Sequence, residues 1–155
     1  MGRIQVKNLS KSFGDVQALS DVSFTIESGE FAILLGTSGA GKSTLLRCLN
    51  GLTNPTEGTV SIDGEKVVGP RDDIAMVFQQ HNVLTEASAY TNALTGALNR
   101  TQFLKSMLSL YSREDKLEAL EALDTVGLLA EADQRAGSMS GGQQQRVGIA
   151  RALVQ

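Results

Sequence analysis

The chain has 155 residues, 41% of them hydrophobic, which is enough to bury one core of ordinary domain size. Its 14 Lys and Arg stand against 17 Asp and Glu with no basic stripe, a balance that argues against a nucleic-acid partner. The longest uninterrupted apolar runs, such as "FAILL", Phe31 to Leu35, fall far short of the roughly 20 residues a membrane span needs. Cys48, the one cysteine, cannot form an internal disulfide. It reads as a small buried hydrophobe in a reducing compartment. The N-terminal stretch "MGRIQVKNLSK" alternates like a strand and has no apolar signal core, so a cytosolic protein is expected.

In chain order, "IQVKNL", "VSFTI" and "FAILLG" read as short strands separated by Gly-containing turns. A glycine-rich turn follows, then a helix over "KSTLLRCLN" that Gly51 ends. "TVSI" and "KVV" form a predicted hairpin through Asp63-Gly64, and "IAMVF", Ile74 to Phe78, reads as another buried strand. From about Glu86 the pattern turns helical. "ASAYTNALTGALNRTQFLKSMLSLY" suits one or two helices, and "SREDKLEALEALDTVG" suits a well-bounded one. There Ser112 is the predicted N-cap, with Asp115 completing a capping box and Gly127 just past the end. Leu117, Leu120 and Leu123, with Ala119 and Val126, form its expected apolar stripe. "SMSGGQQQRVGIARALVQ" then reads as a Ser-Gly-Gly turn opening a last helix, with Ser140 as a natural N-cap. The order predicts a layered α/β core carrying a helical insertion, residues 86–140.

The strongest chemical signal is "GTSGAGKST", Gly36, Thr37, Ser38, Gly39, Ala40, Gly41, Lys42, Ser43 and Thr44, which matches G-x-x-x-x-G-K-[ST]. Its glycines let consecutive backbone N–H groups wrap a phosphate without side chains in the way. Lys42 brings a mobile positive charge to the β- and γ-phosphates, and Ser43 a hydroxyl suited to Mg²⁺. The helix behind points its positive end at the same anion. An apolar run before it and a helix after it supply the context such a loop requires. A GTPase reading fails, because N-K-x-D is absent and "DTVG", Asp124 to Gly127, falls at a helix terminus. A small-molecule kinase is argued against by the motifs that follow.

"VFQQ" places Gln79 directly after an apolar run, "MSGGQQQRVGIARAL" nearly copies the signature L-S-G-G-Q, and "LSKSFGDVQAL" sets Phe13 ahead of the phosphate loop. In order and spacing these resemble the ATP-binding subunit of ATP-binding cassette (ABC) transporters over essentially the whole chain. The resemblance implies the α/β P-loop ATPase fold of that family, a parallel-sheet core with an antiparallel β-subdomain and a helical subdomain. It implies ATP and Mg²⁺ as cofactors. Phe13 would stack on adenine, though a core aromatic is the alternative, and Gly36 to Thr44 would hold the phosphates. Ser43 and Gln79 would reach Mg²⁺, Gln79 also reporting nucleotide state, unless it is simply a strand-end polar residue. Ser140, Gly141, Gly142 and Gln143 would meet the γ-phosphate of ATP bound to a second copy. His81, the one histidine, reads as a loop residue.

The helical stretch from "NALTGALNR" to "ALDTVGL", with the signature segment, looks like the ATPases of phosphonate importers. Met139 stands where their signature has leucine, an apolar exchange, and the connection from "SIDG" to "DIAMVFQQ" is short, as in other importer ATPases. The implied partners are a second ATP-binding subunit in a homodimer, transmembrane permease subunits and, indirectly, a substrate-binding protein, with no nucleic acid. The implied location is the inner face of the cell membrane. The family's strand ending in Asp-Glu and its switch histidine do not occur here. The chain is therefore expected to lack the C-terminal part of the core and the catalytic carboxylate. A catalytically inactive nucleotide-binding fragment, and an importer ATPase for another small solute such as phosphate or an amino acid, stay open as alternatives. A soluble ABC protein outside transport is more distant.

Overall fold

The computed structural model describes residues 2–71, 73–77, 83–99 and 111–155. The chain forms two compact units, Met1–Ile74 and Ala75–Gln155, each with its own apolar core. The α/β fold with an antiparallel sheet and a helical part is the one expected.

In the first unit, β1 (Ile4–Phe13), β2 (Val16–Ile26), β3 (Glu57–Ile62) and β4 (Glu65–Lys66) form an antiparallel sheet in the order β2-β1-β3-β4. Strand alternation alone would put Val6 and Leu9 on opposite faces. Both are buried, because the register against β2 shifts between them and Asn8 turns left-handed at φ 46°. Asn8 Nδ2 donates to Asp21 Oδ1 at 2.8 Å, and the Asn8 N–H donates to Ser23 Oγ at 2.8 Å. These bonds hold the bulge from the β2 side. On the β3 side only glycine fits, since a Cβ on Gly58 would lie 2.2 Å from the Asn8 carbonyl oxygen. The shift lets Val6, Leu9, Val60 and Ile62 share one core with Leu45 and Cys48 of α1 (Lys42–Leu49). Burial of a leucine such as Leu45 is worth about 1.5–3 kcal/mol, and that term holds the helix to the sheet. The Asp63-Gly64 turn is as expected, with φ of 50° and 83°.

Two predicted strands differ. Phe31–Leu35 joins no strand among the described residues, and Phe31, Ile33 and Leu35 are 87%, 68% and 84% exposed. Residues 74–77 are likewise outside any strand, and Phe78 lies outside the described residues. An apolar β-prone run states a tendency, whereas pairing and burial come from neighbours distant in sequence.

The second unit contains α2 (Ala89–Leu94), which tightens into a 3₁₀ turn over Thr95–Asn99, then α3 (Arg113–Thr125) and α4 (Gly141–Val154). Residues 100–110 of the predicted helical stretch lie outside the described residues. The α3 boundaries are those expected: Ser112 and Asp115 form a reciprocal capping box, and Gly127 follows the helix at φ 68°. Its stripe is not. Leu117 is 49% exposed, whereas Asp115, Ala119, Ala122 and Leu123 are buried. Leu117 is two residues from both Asp115 and Ala119, so it projects about 200° away from them. The core is built largely from small side chains, Ala89, Ala93, Ala97, Ala119, Ala122 and Ala150. The backbones consequently run close: a Cβ on Gly96 would lie 2.2 Å from the Arg151 carbonyl oxygen. Buried Asn92 is fully engaged, accepting from the Leu84 N–H at 2.7 Å and donating to the Leu84 and Ser88 carbonyls. No helix among the described residues is long and apolar enough to cross a membrane.

Candidate functional site

The loop Gly36–Gly41 leads into α1 and leaves its backbone open to solvent, with Gly36 to Ala40 all exposed. Gly41 is the helix N-cap at φ 81°, and its carbonyl accepts from Leu45 N–H, the first helical bond, at 2.9 Å. The N–H groups of Lys42, Ser43 and Thr44 therefore have no acceptor within the helix. No acidic side chain occupies the first turn. Lys42 folds back across the loop, its Nζ donating to the carbonyl oxygens of Gly36 and Thr37 at 2.7 Å each. The result is a set of backbone donors at the positive end of a helix, with an ammonium held by the loop that leads into it. Such an arrangement suits an anion with several oxygens. The exposed Ser43 hydroxyl is a single oxygen ligand at the rim. One protein oxygen completed by phosphate oxygens and water is the kind of donor set Mg²⁺ accepts.

Phe13 ends β1 and is 53% exposed. The β1–β2 hairpin that carries it is seated on the loop. A Cβ on Gly41 would lie 2.5 Å from the Ala18 carbonyl oxygen and 2.9 Å from Leu19 Cδ2. The Lys11 ammonium lies over the Phe13 ring, 5.0 Å from its centre. On the buried side of α1, burial pushes the Cys48 thiol above its ordinary value, and the positive charge of Lys11 offsets part of that rise.

In the second unit Ser140 is the N-cap of α4, as expected. Its Oγ accepts from Gln143 N–H at 3.3 Å, and its own N–H donates to Gln143 Oε1 at 3.0 Å. The box consumes those two backbone donors and leaves the Gly141 and Gly142 N–H groups and the Ser140 hydroxyl proton available. Both glycines are exposed, with open space where a Cβ would be. Met139 is 6% exposed and packs in the helical core, so replacing leucine there costs the apolar contact little. Gln79, with His81, lies outside the described residues.

Several supporting residues were not evident from the motifs. Gln144 Nε2 donates to the Ala136 carbonyl at 2.9 Å and to the Met139 carbonyl at 3.3 Å, tying down the turn that delivers Ser140. Arg146 Nη1 donates to the Val126 carbonyl at 3.1 Å, just past α3. The carbonyl of Ala18 shapes the phosphate loop through backbone alone, and no side-chain pattern announces that.

The ABC transporter family profile matches residues 19–155. A phosphonates import ATP-binding protein, PhnC, of Halobacterium salinarum is 68% identical over all of this chain, which spans 55% of that protein's length. A second, PhnC 1 of Haloquadratum walsbyi, is 61% identical over the whole chain and 51% of its own length. Among solved structures, a nucleotide-free ATP-binding cassette from an ABC transporter superposes with a TM-score of 0.85 at 29% identity, covering 99% of this chain and 65% of that one. A bacterial ABC transporter cassette solved as a dimer superposes with a TM-score of 0.81 at 36% identity, covering 97% and 69%.

Proposed function

This chain belongs to the ABC transporter family, and from that premise we propose that it serves as the ATP-binding, energy-coupling subunit of an importer for phosphonate or a related small anion. The observation that carries the cargo assignment is the 68% identity, across every residue of this chain, to a protein named for phosphonate import. The nucleotide assignment rests on the loop at Gly36–Thr44 and its lysine.

In this reading the loop Gly36–Thr44, through N–H groups such as those of Lys42, Ser43 and Thr44, and the Lys42 ammonium bind the triphosphate of ATP, and Phe13 takes the adenine. Ser43, together with Gln79, would hold Mg²⁺, which when bound neutralises charge on the β- and γ-phosphates. Ser140, Gly141 and Gly142, with Gln143 holding the cap, offer their free donors to ATP on a second copy. Residues 86–140 form the helical subdomain that carries this surface. ATP then draws two copies together, and its hydrolysis lets them part. Permease subunits turn that cycle into uptake, supplied by a substrate-binding protein.

Disrupting the gene and supplying a phosphonate as sole phosphorus source tests the cargo. Growth should fail on the phosphonate and persist on inorganic phosphate. Unimpaired growth on the phosphonate, or loss on phosphate alone, would reassign the importer to another solute. Titration with Mg-ATP tests the cradle separately from the cargo.

A further inference from the structure

The hairpin end that carries Phe13 holds a second chemical group that the function above leaves unused. Lys11 and Phe13 are two apart on β1, on either side of a register shift against β2. Lys11 pairs with Leu19 and Phe13 with Val16 across the hairpin. The Lys11 side chain is half-buried, no carboxylate pairs with it among the described residues, and its ammonium rests 5.0 Å from the Phe13 ring centre. A lysine free to extend into water has instead been laid on an aromatic face. Phe13 meanwhile keeps 53% of its surface exposed, so the rest of the ring stays accessible.

We infer that Lys11 is a positioning residue for the adenine platform: its ammonium backs one face of Phe13 and leaves the other to receive the base. Two effects follow from the charge. The contact restrains the ring of an exposed residue, which lowers the entropy lost when a base stacks on it. The cation also draws π-electron density toward itself. An aromatic face is negative, and an adenine face is too, so stacking the two carries a repulsive component. Withdrawing density from the far side of Phe13 weakens that repulsion and strengthens the stack. Lys11 therefore raises affinity for the base without touching the nucleotide, in contrast to Lys42, which acts on the phosphates.

The inference rests on Phe13 being the adenine platform, and the test separates the two. Mg-ATP and base-free Mg-tripolyphosphate are titrated into the chain and into Lys11→Met, Lys11→Arg, Phe13→Leu and the Lys11→Met/Phe13→Leu double variant, with circular dichroism confirming each fold. Lys11→Met keeps the apolar stem and removes the charge. It should weaken Mg-ATP about two- to fivefold, the range for an exposed cation–π contact, and leave tripolyphosphate unchanged. Lys11→Arg should retain wild-type affinity, and Lys11→Met should add nothing once Phe13 is Leu. If Phe13→Leu weakens Mg-ATP but Lys11→Met does not, the platform stands and the role of Lys11 is overturned. Equal weakening of ATP and tripolyphosphate by Lys11→Met also overturns it, because the charge would then act on phosphate. If Phe13→Leu leaves Mg-ATP affinity unchanged, the platform itself falls, and this inference with it.

Discussion

Gly41 is seated on Ala18: a Cβ at Gly41 would lie 2.5 Å from the Ala18 carbonyl oxygen, a backbone atom that cannot swing aside. The residue that caps α1 is therefore held by β2, the strand that returns from Phe13. One contact ties the anion loop to the aromatic hairpin.

Gly41→Ala brings that contact together with a backbone φ of 81°. We expect it to destabilise the chain by about 2–4 kcal/mol, from left-handed strain plus overpacking. Gly41→Asp should further abolish Mg-ATP binding by placing a carboxylate among the phosphate donors. Urea unfolding and a nucleotide titration measure the two effects. Wild-type stability of Gly41→Ala would contradict the seating.

Lys42→Ala removes two charge-assisted bonds to the Gly36 and Thr37 carbonyls and the cation meant for the triphosphate. Mg-ATP affinity should fall at least about tenfold, since one bond to a charged group is worth about 1.5–3 kcal/mol. Amide exchange across residues 36–40 should accelerate even without nucleotide. Unchanged affinity would count against the cradle.

Ser140→Ala and Ser140→Arg both delete the α4 cap and should each cost about 1 kcal/mol of stability. They should differ in assembly. With an arginine in the surface offered to a partner's ATP, Mg-ATP should still bind each chain but no longer draw two copies together, as light scattering would report. If Ser140→Arg abolished binding to the single chain with the fold intact, Ser140 would belong to the chain's own nucleotide.

Cys48 gives the fold an alkaline limit. Burial raises its thiol in the folded state, while the unfolded thiol ionises near its ordinary value of about 8.5. A raised folded value means that this contribution is whole below about pH 8.5 and is lost as pH climbs toward the folded value. Cys48→Ala should flatten the decline. Urea midpoints followed from about pH 7 to pH 10 would show it, and parallel curves for both proteins would refute it.

Helix starts were the most legible features, because caps are local chemistry. Ser112 with Asp115, and Ser140 before its two glycines, each announce an end within four residues of sequence. What escaped was set at a distance. Phe31–Leu35 has strand composition, but its pairing partners are not written in the run itself. Leu117 looked like core by residue type, yet alanines on the neighbouring face decided which side of α3 was buried. The Asn8–Asp21 bulge needed two left-handed residues on different strands and a glycine on a third, a coincidence no single window contains. For the site, the loop and the signature were readable from spacing, whereas Lys11, Ala18 and Gln144 act through contacts that only folding creates.

The reciprocal bond between Ser140 and Gln143 also bears on speed. Freezing the backbone of one loop residue costs about 1–2 kcal/mol, and here folding has already settled that cost before any anion arrives. In the proposed assembly, a phosphate reaching Gly141 and Gly142 would find amides already placed and surrender only its own motion. No slow ordering step would then stand between collision and capture, so orientation would govern the rate of engagement. Differences in grip from one variant to another should appear as differences in how long the captured anion stays.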